Sequence, residues 1–263
     1  MNRVAAMLLA MLIIWPIQVF AAEGEDPAPL TKILEMKGEG ALELKPETKN
    51  IRLQVVKEYA HRLGVQTGAQ WRNDQINEVL QRRAPELDSI FAFGLLLIDG
   101  QVLPPVVIQS DQSFEMKDRT VLKTGTSFKI IQDARFVSVP PSWRDFLFAE
   151  FKVQNVSETL YPRTSEEVAA WKEAITNGWA LGIKQADNIF ELNMRKLTRD
   201  MNGLILFREL AGQGFVSLPK VAEGKYAIRV GDKTLDLDQT SFTLVEDSRF
   251  QQEDKWKPFQ MNP

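Results

Sequence analysis

The spacing of apolar residues changes twice along the chain. From residue 49 to 64, Ile51, Val55, Tyr59 and Leu63 recur every four positions, which predicts a helix with one buried face. Gly64 and Gly68 are read as its end, and a second helix is expected near Asn73 to Gln81, with Ile76, Val79 and Leu80 turned inward. "PELDSIF" predicts a short helical turn, with Pro85 tolerated at its start. Helical spacing then gives way to two apolar runs about Asp99-Gly100, a pair that suits a hairpin because both turn positions must accept positive φ. Pro104 and Pro105 cannot donate to a ladder, so that strand is expected at an edge or bulged. Two or three further strands are expected up to Val139, with turn residues at Thr124-Gly125-Thr126.

"FVSVPPSWRDFLF" then joins a strand to a helix. Phe136, Val137 and Val139 end the strand, Pro140 and Pro141 stop its ladder, and Ser142 caps a helix opening with Trp143-Arg144-Asp145. Trp143 is expected to fill the core while Arg144 and Asp145 face solvent or a partner. A binding role stays open beside the joint role, because tryptophan and arginine are enriched at interface hot spots.

Helical spacing returns at Thr164-x-x-Glu167, a capping box, and runs through Trp171, Ile175, Trp179, Ile183, Phe190, Met194, Leu197, Met201 and Leu204. Ala174, Gly178, Gly182 and Ala186 form a smooth strip expected to pack closely on this protein's own sheet or helices. Asn202-Gly203 is a candidate break. "KYAIRV-GD-KTLDLD" predicts a hairpin, and Phe242 with Leu244 a last strand. The expected class is therefore α+β: a single domain over residues 49–247, with an antiparallel or mixed sheet built from hairpins and several helices, one of them long. Residues 22–48 read as a flexible lead-in with one short element at most. Residues 248–263 read as a polar tail in which Trp256 is a docking residue or unordered.

Residues 1–21 follow the secretory pattern: Arg3, an apolar run from Val4 to Ile17, then Val19-Phe20-Ala21, with cleavage expected after Ala21 or after Ala22. That run falls short of the roughly 18–20 residues that span a bilayer. The net charge of −3 is made of scattered charges of both signs, and "MRKLTR" is flanked by Glu191 and Asp200, which reads as a solvated helix face. The chain has no cysteine, so it offers no thiol nucleophile, thiolate metal site or lipidated residue. Its one histidine, His61, lies off the apolar stripe and reads as a solvated helix residue. With no metal-ligand cluster, phosphate loop or G-x-S-x-G elbow, no cofactor, metal or catalytic residue is expected. The alternative is a periplasmic hydrolase or sugar-binding protein using carboxylates such as Glu167, Asp187 or Asp145.

Four ordered blocks, "AQWRNDQINEVLQRRAPELDSIFAFGLLLIDGQVLPPVVIQS", "ARFVSVPPSWRDFLF", "WKEAITNGWALGIKQADNIFELNMRKLTRDMNGLILFREL" and "GFVSLPKVA", resemble the DotC family. The resemblance runs from about Val55 to Leu244. That family comprises outer-membrane core components of type IVB secretion systems and of I-type plasmid conjugation machines. The resemblance implies a scaffold rather than an enzyme, cyclic in the assembled machine, with a DotD-like lipoprotein and a DotH-like secretin-related subunit as partners. Direct binding of nucleic acid is not implied. Family members are commonly lipoproteins, whereas this chain has no cysteine to acylate, so membrane association is expected through partners. Pro140, Pro141, Trp143, Arg144, Asp145, Gly178, Gly182 and Trp256 are the candidate structural or interface residues.

Overall fold

The computed structural model describes residues 26–40, 46–117, 120–153, 157–230, 232–233 and 235–256; the expected leader with its expected cleavage positions, and Phe259, lie outside them. In chain order the elements are helices α1 (Ala28–Leu34), α2 (Pro46–Arg82) and α3 (Ala84–Ile90), then strands β1 (Val102–Leu103), β2 (Val106–Lys117), β3 (Thr120–Gln132) and β4 (Arg135–Phe136). Helices α4 (Trp143–Leu147) and α5 (Ser165–Gly212) and strands β5 (Lys220–Val230) and β6 (Leu235–Glu246) follow. The α+β class read from the sequence holds, with the long helix in the second half. Every ladder among the described residues is antiparallel and two-stranded: β1 with β4, β2 with β3, and β5 with β6.

The described residues pack as two compact units, one within Met1–Asn73 and Phe151–Ala186, the other within Asp74–Glu150 and Asp187–Pro263. The core of the first gathers Leu30 and Ile33 from α1, Val56, Ala60 and Leu63 from α2, and Trp171, Ala174, Ile175 and Trp179 from α5. Part of the expected flexible lead-in is thus packed: α1 inserts two side chains, and the Trp171 indole N–H donates to the Ile33 carbonyl at 2.8 Å. The inward face of α2 also differs from the expected stripe. Leu63 is buried and Tyr59 half-buried, but Ile51 and Val55 are exposed, and Val56 and Ala60 take the core positions. The four-residue repeat located the helix but set its face one position off at the N-terminal end. His61, expected to be solvated, is half-buried.

Gly64 and Gly68 do not end the helix. A Cβ on Gly64 would lie 2.5 Å from the Ile175 carbonyl oxygen, and one on Gly68 2.6 Å from that of Trp179. On α5, a Cβ on Gly182 would come within 2.8 Å of the Ala69 nitrogen, and one on Gly178 would overlap the His61 carbonyl. Both helices omit side chains where they touch. The contact offsets the cost of about 1 kcal/mol for glycine inside a helix.

In the second unit, the turn at Asp99-Gly100 has φ of 50° and 73°, so both central residues occupy the left-handed region. Ile98 and Val102 exchange backbone hydrogen bonds across it at 2.8 and 3.0 Å. Pro104 and Pro105 fall in the gap between β1 and β2, where the ladder is interrupted. Thr124-Gly125-Thr126, expected as a turn, runs inside β3, with Thr124 opposite Ser113 and Thr126 opposite Asp111. Asn202-Gly203 does not break α5. A Cβ on Gly203 would lie 2.9 Å from the Val107 carbonyl oxygen, so glycine lets β2 approach the helix. Val107, Phe207, Leu210 and Val216 form the core there. Phe242 and Leu244 belong to β6 rather than to a separate strand, since β5 and β6 pair from Lys220–Glu246 to Val230–Leu235.

Candidate functional site

The joint at residues 136–148 is built from its prolines outward. β4 ends at Phe136, and Val137 adds one further bond, donating to the Gln101 carbonyl at 2.9 Å. Val139, expected to finish the strand, is instead exposed, and Pro140 and Pro141 follow it outside any ladder. Ser142 then caps α4: its hydroxyl accepts from the Arg144 N–H at 3.3 Å, while the Asp145 carboxylate accepts from the Ser142 N–H at 2.7 Å. Asp145 therefore serves its own helix.

Trp143 is 1% exposed, and its indole N–H donates to Asp88 Oδ1 at 2.8 Å. The same carboxylate receives both terminal nitrogens of Arg144, at 2.5 and 3.2 Å, a two-pronged pair. The Arg144 guanidinium also lies over the Trp143 ring, 4.3 Å from its centre. The bond from Arg144, and then that from Trp143, hold the Asp88 carboxyl below its ordinary pKa against the opposing effect of desolvation. Asp88 raises that of Arg144 in return. Beneath them, Phe146 stacks on Phe93 at 5.9 Å. Nothing local in the sequence singles out Asp88, which lies 55 residues from Trp143.

Beside the joint is a shallow cleft of about 460 Å³ lined by Arg135, Val137, Ser138, Pro141, Phe146 and Lys196 among others. Lys196 sits 5.7 Å from the centre of the Phe146 ring. On the same stretch of α5, Arg195 pairs with Glu191 and Arg199 with Asp200, so these cations of "MRKLTR" meet acids of their own helix.

The carboxylates considered for hydrolysis have structural contacts. Glu167 is 3% exposed; it accepts from Arg52 Nε at 2.9 Å and from the Arg163 N–H at 2.8 Å, while its own N–H donates to the Thr164 hydroxyl at 3.1 Å. The expected capping box is thus shifted by one residue on its return arm. Arg52 continues to the Thr159 and Tyr161 carbonyls at 3.3 and 3.1 Å, pinning the segment that precedes α5. Asp187 lies half-buried on α5. Among the described residues no group of three or more histidines or acids could hold a metal ion.

Gly178 and Gly182 form the helix contact described above, with Trp71 and Trp179 packed nearby at 5.3 Å. Trp256 places its ring edge-on to Phe215 at 4.7 Å and donates its indole N–H to the Gln251 carbonyl at 3.0 Å. The tail up to that point is held back: Val216 bridges Phe250, and Gln251 donates to the Phe215 carbonyl at 2.8 Å. Trp256 remains 43% exposed, so it both anchors the segment and keeps an open ring surface.

No described helix is long and apolar enough to cross a membrane. The model of the family described as "Type IV secretory system, conjugal DNA-protein transfer" matches residues 50–258. A search of the curated proteins found no match.

Proposed function

Because this chain belongs to the type IV secretory system, conjugal DNA-protein transfer family, we propose that it is a structural subunit of the outer-membrane core of a conjugation or type IVB secretion machine. The observation that carries this reading is how the polar side chains are used. Glu167 and Asp145 fix helix starts, Asp88 locks a tryptophan and an arginine, and the glycines set a helix contact. These groups hold an architecture together. The ordered blocks that resemble the DotC family support the same role.

In this reading residues 1–21 direct export and are removed, and the mature chain works on the periplasmic side of the outer membrane without a lipid of its own. It is held there by a DotD-like lipoprotein and a DotH-like secretin-related subunit, and it takes part in a cyclic assembly.

The test is a tagged copy in donor cells. The chain should co-purify with the outer-membrane subunits from detergent-solubilised envelopes, start at Ala22 or Glu23, and be required for DNA or protein transfer. His61→Ala should transfer normally. A transfer defect in that variant, with folding and co-purification intact, would overturn the non-catalytic reading.

A further inference from the structure

Among the described residues, the hairpin of β5 and β6 is a ribbon of two strands with no third strand beside it. Each strand therefore turns one row of backbone N–H and C=O groups outward, a template for pairing with another chain. Its register places Ile228 opposite Leu237, and Tyr226 two residues before Ile228, so these three residues share one face. Tyr226 is 51% exposed, and Ile228 and Leu237 are each 65% exposed. A soluble edge is normally blunted by charge, proline or a covering element. Here both strands carry charges, but the apolar face remains open.

The two strands differ in charge. β5 carries Lys220, Lys225 and Arg229 against Glu223 alone, whereas β6 carries Asp236, Asp238 and Glu246 and no cation. At the base, Lys220 pairs with Glu246 within the hairpin. Toward the turn, Arg229 is in register with Asp236 and Lys225 with Thr240. Acids of β6 thus stand level with Lys220 and Arg229, while Lys225 is level with Thr240 and pairs with Glu223 of its own strand at 3.2 Å; the excess charge is nonetheless positive on β5 and negative on β6. Two hairpins side by side, pointing the same way, bring the acidic strand of one against the basic strand of the next.

We propose that β5–β6 hairpins of successive copies of this chain join edge to edge, β6 of one copy against β5 of the next, in one antiparallel sheet. The contact is head-to-tail, so it closes into a ring when its rotation permits. It would set the apolar side chains of neighbouring hairpins beside one another. The inference rests on the reading of the chain as an assembling subunit and names the surface through which it meets its own copies.

The chain contains no cysteine, so each introduced thiol is unique. Ala227→Cys on β5 and Thr240→Cys on β6 change exposed residues outside the charge pairs. Donor cells carrying the whole transfer system would express the two variants with different tags and be treated with a short bismaleimide. The expected product is a dimer joining the two tags, absent when either variant is expressed alone. Adding Lys225→Glu to the Ala227→Cys copy should reduce its yield several-fold. Self-crosslinking of Ala227→Cys alone would mean two-fold edge pairing and overturn the proposal. So would no mixed dimer in cells where the chain still co-purifies with the envelope complex, an outcome that leaves the structural reading standing. Failure of the unmodified chain to co-purify would instead remove that reading, and this inference with it.

Discussion

At the scale of single residues, the strongest consequences gather around Trp143 and Glu167. Trp143→Ala removes a buried aromatic and leaves Asp88 without the indole donor. The expected loss is about 3–5 kcal/mol, read as a lower denaturation midpoint of the purified chain. Arg52→Met should cost a similar ~3–5 kcal/mol, because the 5%-exposed Glu167 carboxylate loses its charged partner. The double variant Arg52→Met/Glu167→Leu should lose clearly less than the sum of the two single changes, since no buried charge is then stranded. Asp88 brings in pH. Its folded pKa is depressed, chiefly by Arg144, so its stabilising effect is present above the ordinary carboxylate range and fades as pH falls through the lower folded value. In melts taken down the acid limb, the margin of the native chain over Asp88→Asn should shrink steadily; a constant margin would contradict this account. Little of this is legible in the sequence. The cap at Ser142 and the inward Trp143 follow from neighbouring residues, but the Asp88 and Arg52 contacts join positions 55 and 115 residues apart, and only the folded chain brings them together.

At the scale of elements, local patterns locate most helices and strands and misplace several of their limits. The misplaced limits share a cause. Gly64, Gly68 and Gly203 read as punctuation, because a glycine lowers helix propensity wherever it stands. Their actual use depends on what lies across from them: Ile175, Trp179 and Val107 backbone in each case. The strip on α5 is recognisable because its four small residues recur on one face, a repeat that α2 shows less plainly. Gly178→Leu and Gly182→Leu should therefore each cost about 1–3 kcal/mol or more, since the obstructing atoms are backbone and cannot rotate away. Differential scanning calorimetry checks this, and an unchanged transition in the double variant would refute the contact. The hairpins are harder to delimit. Alternation continues through Thr124-Gly125-Thr126, and nothing local distinguishes a glycine inside a strand from one in a turn.

At the scale of the whole molecule, the first unit is assembled from stretches distant in the chain: Trp171 meets the Ile33 carbonyl across 138 positions. The ribosome therefore delivers Leu30, Ile33, Val56, Ala60 and Leu63 long before the tryptophans and Ile175 that enclose them. A chain stopped at Glu150 lacks that half of the core and should be cut rapidly by protease within residues 46–73, where the full chain should resist. Contacts of such long sequence separation also slow folding. Until α5 is made the early half cannot close around its core, so the order of synthesis itself decides when the first unit shuts.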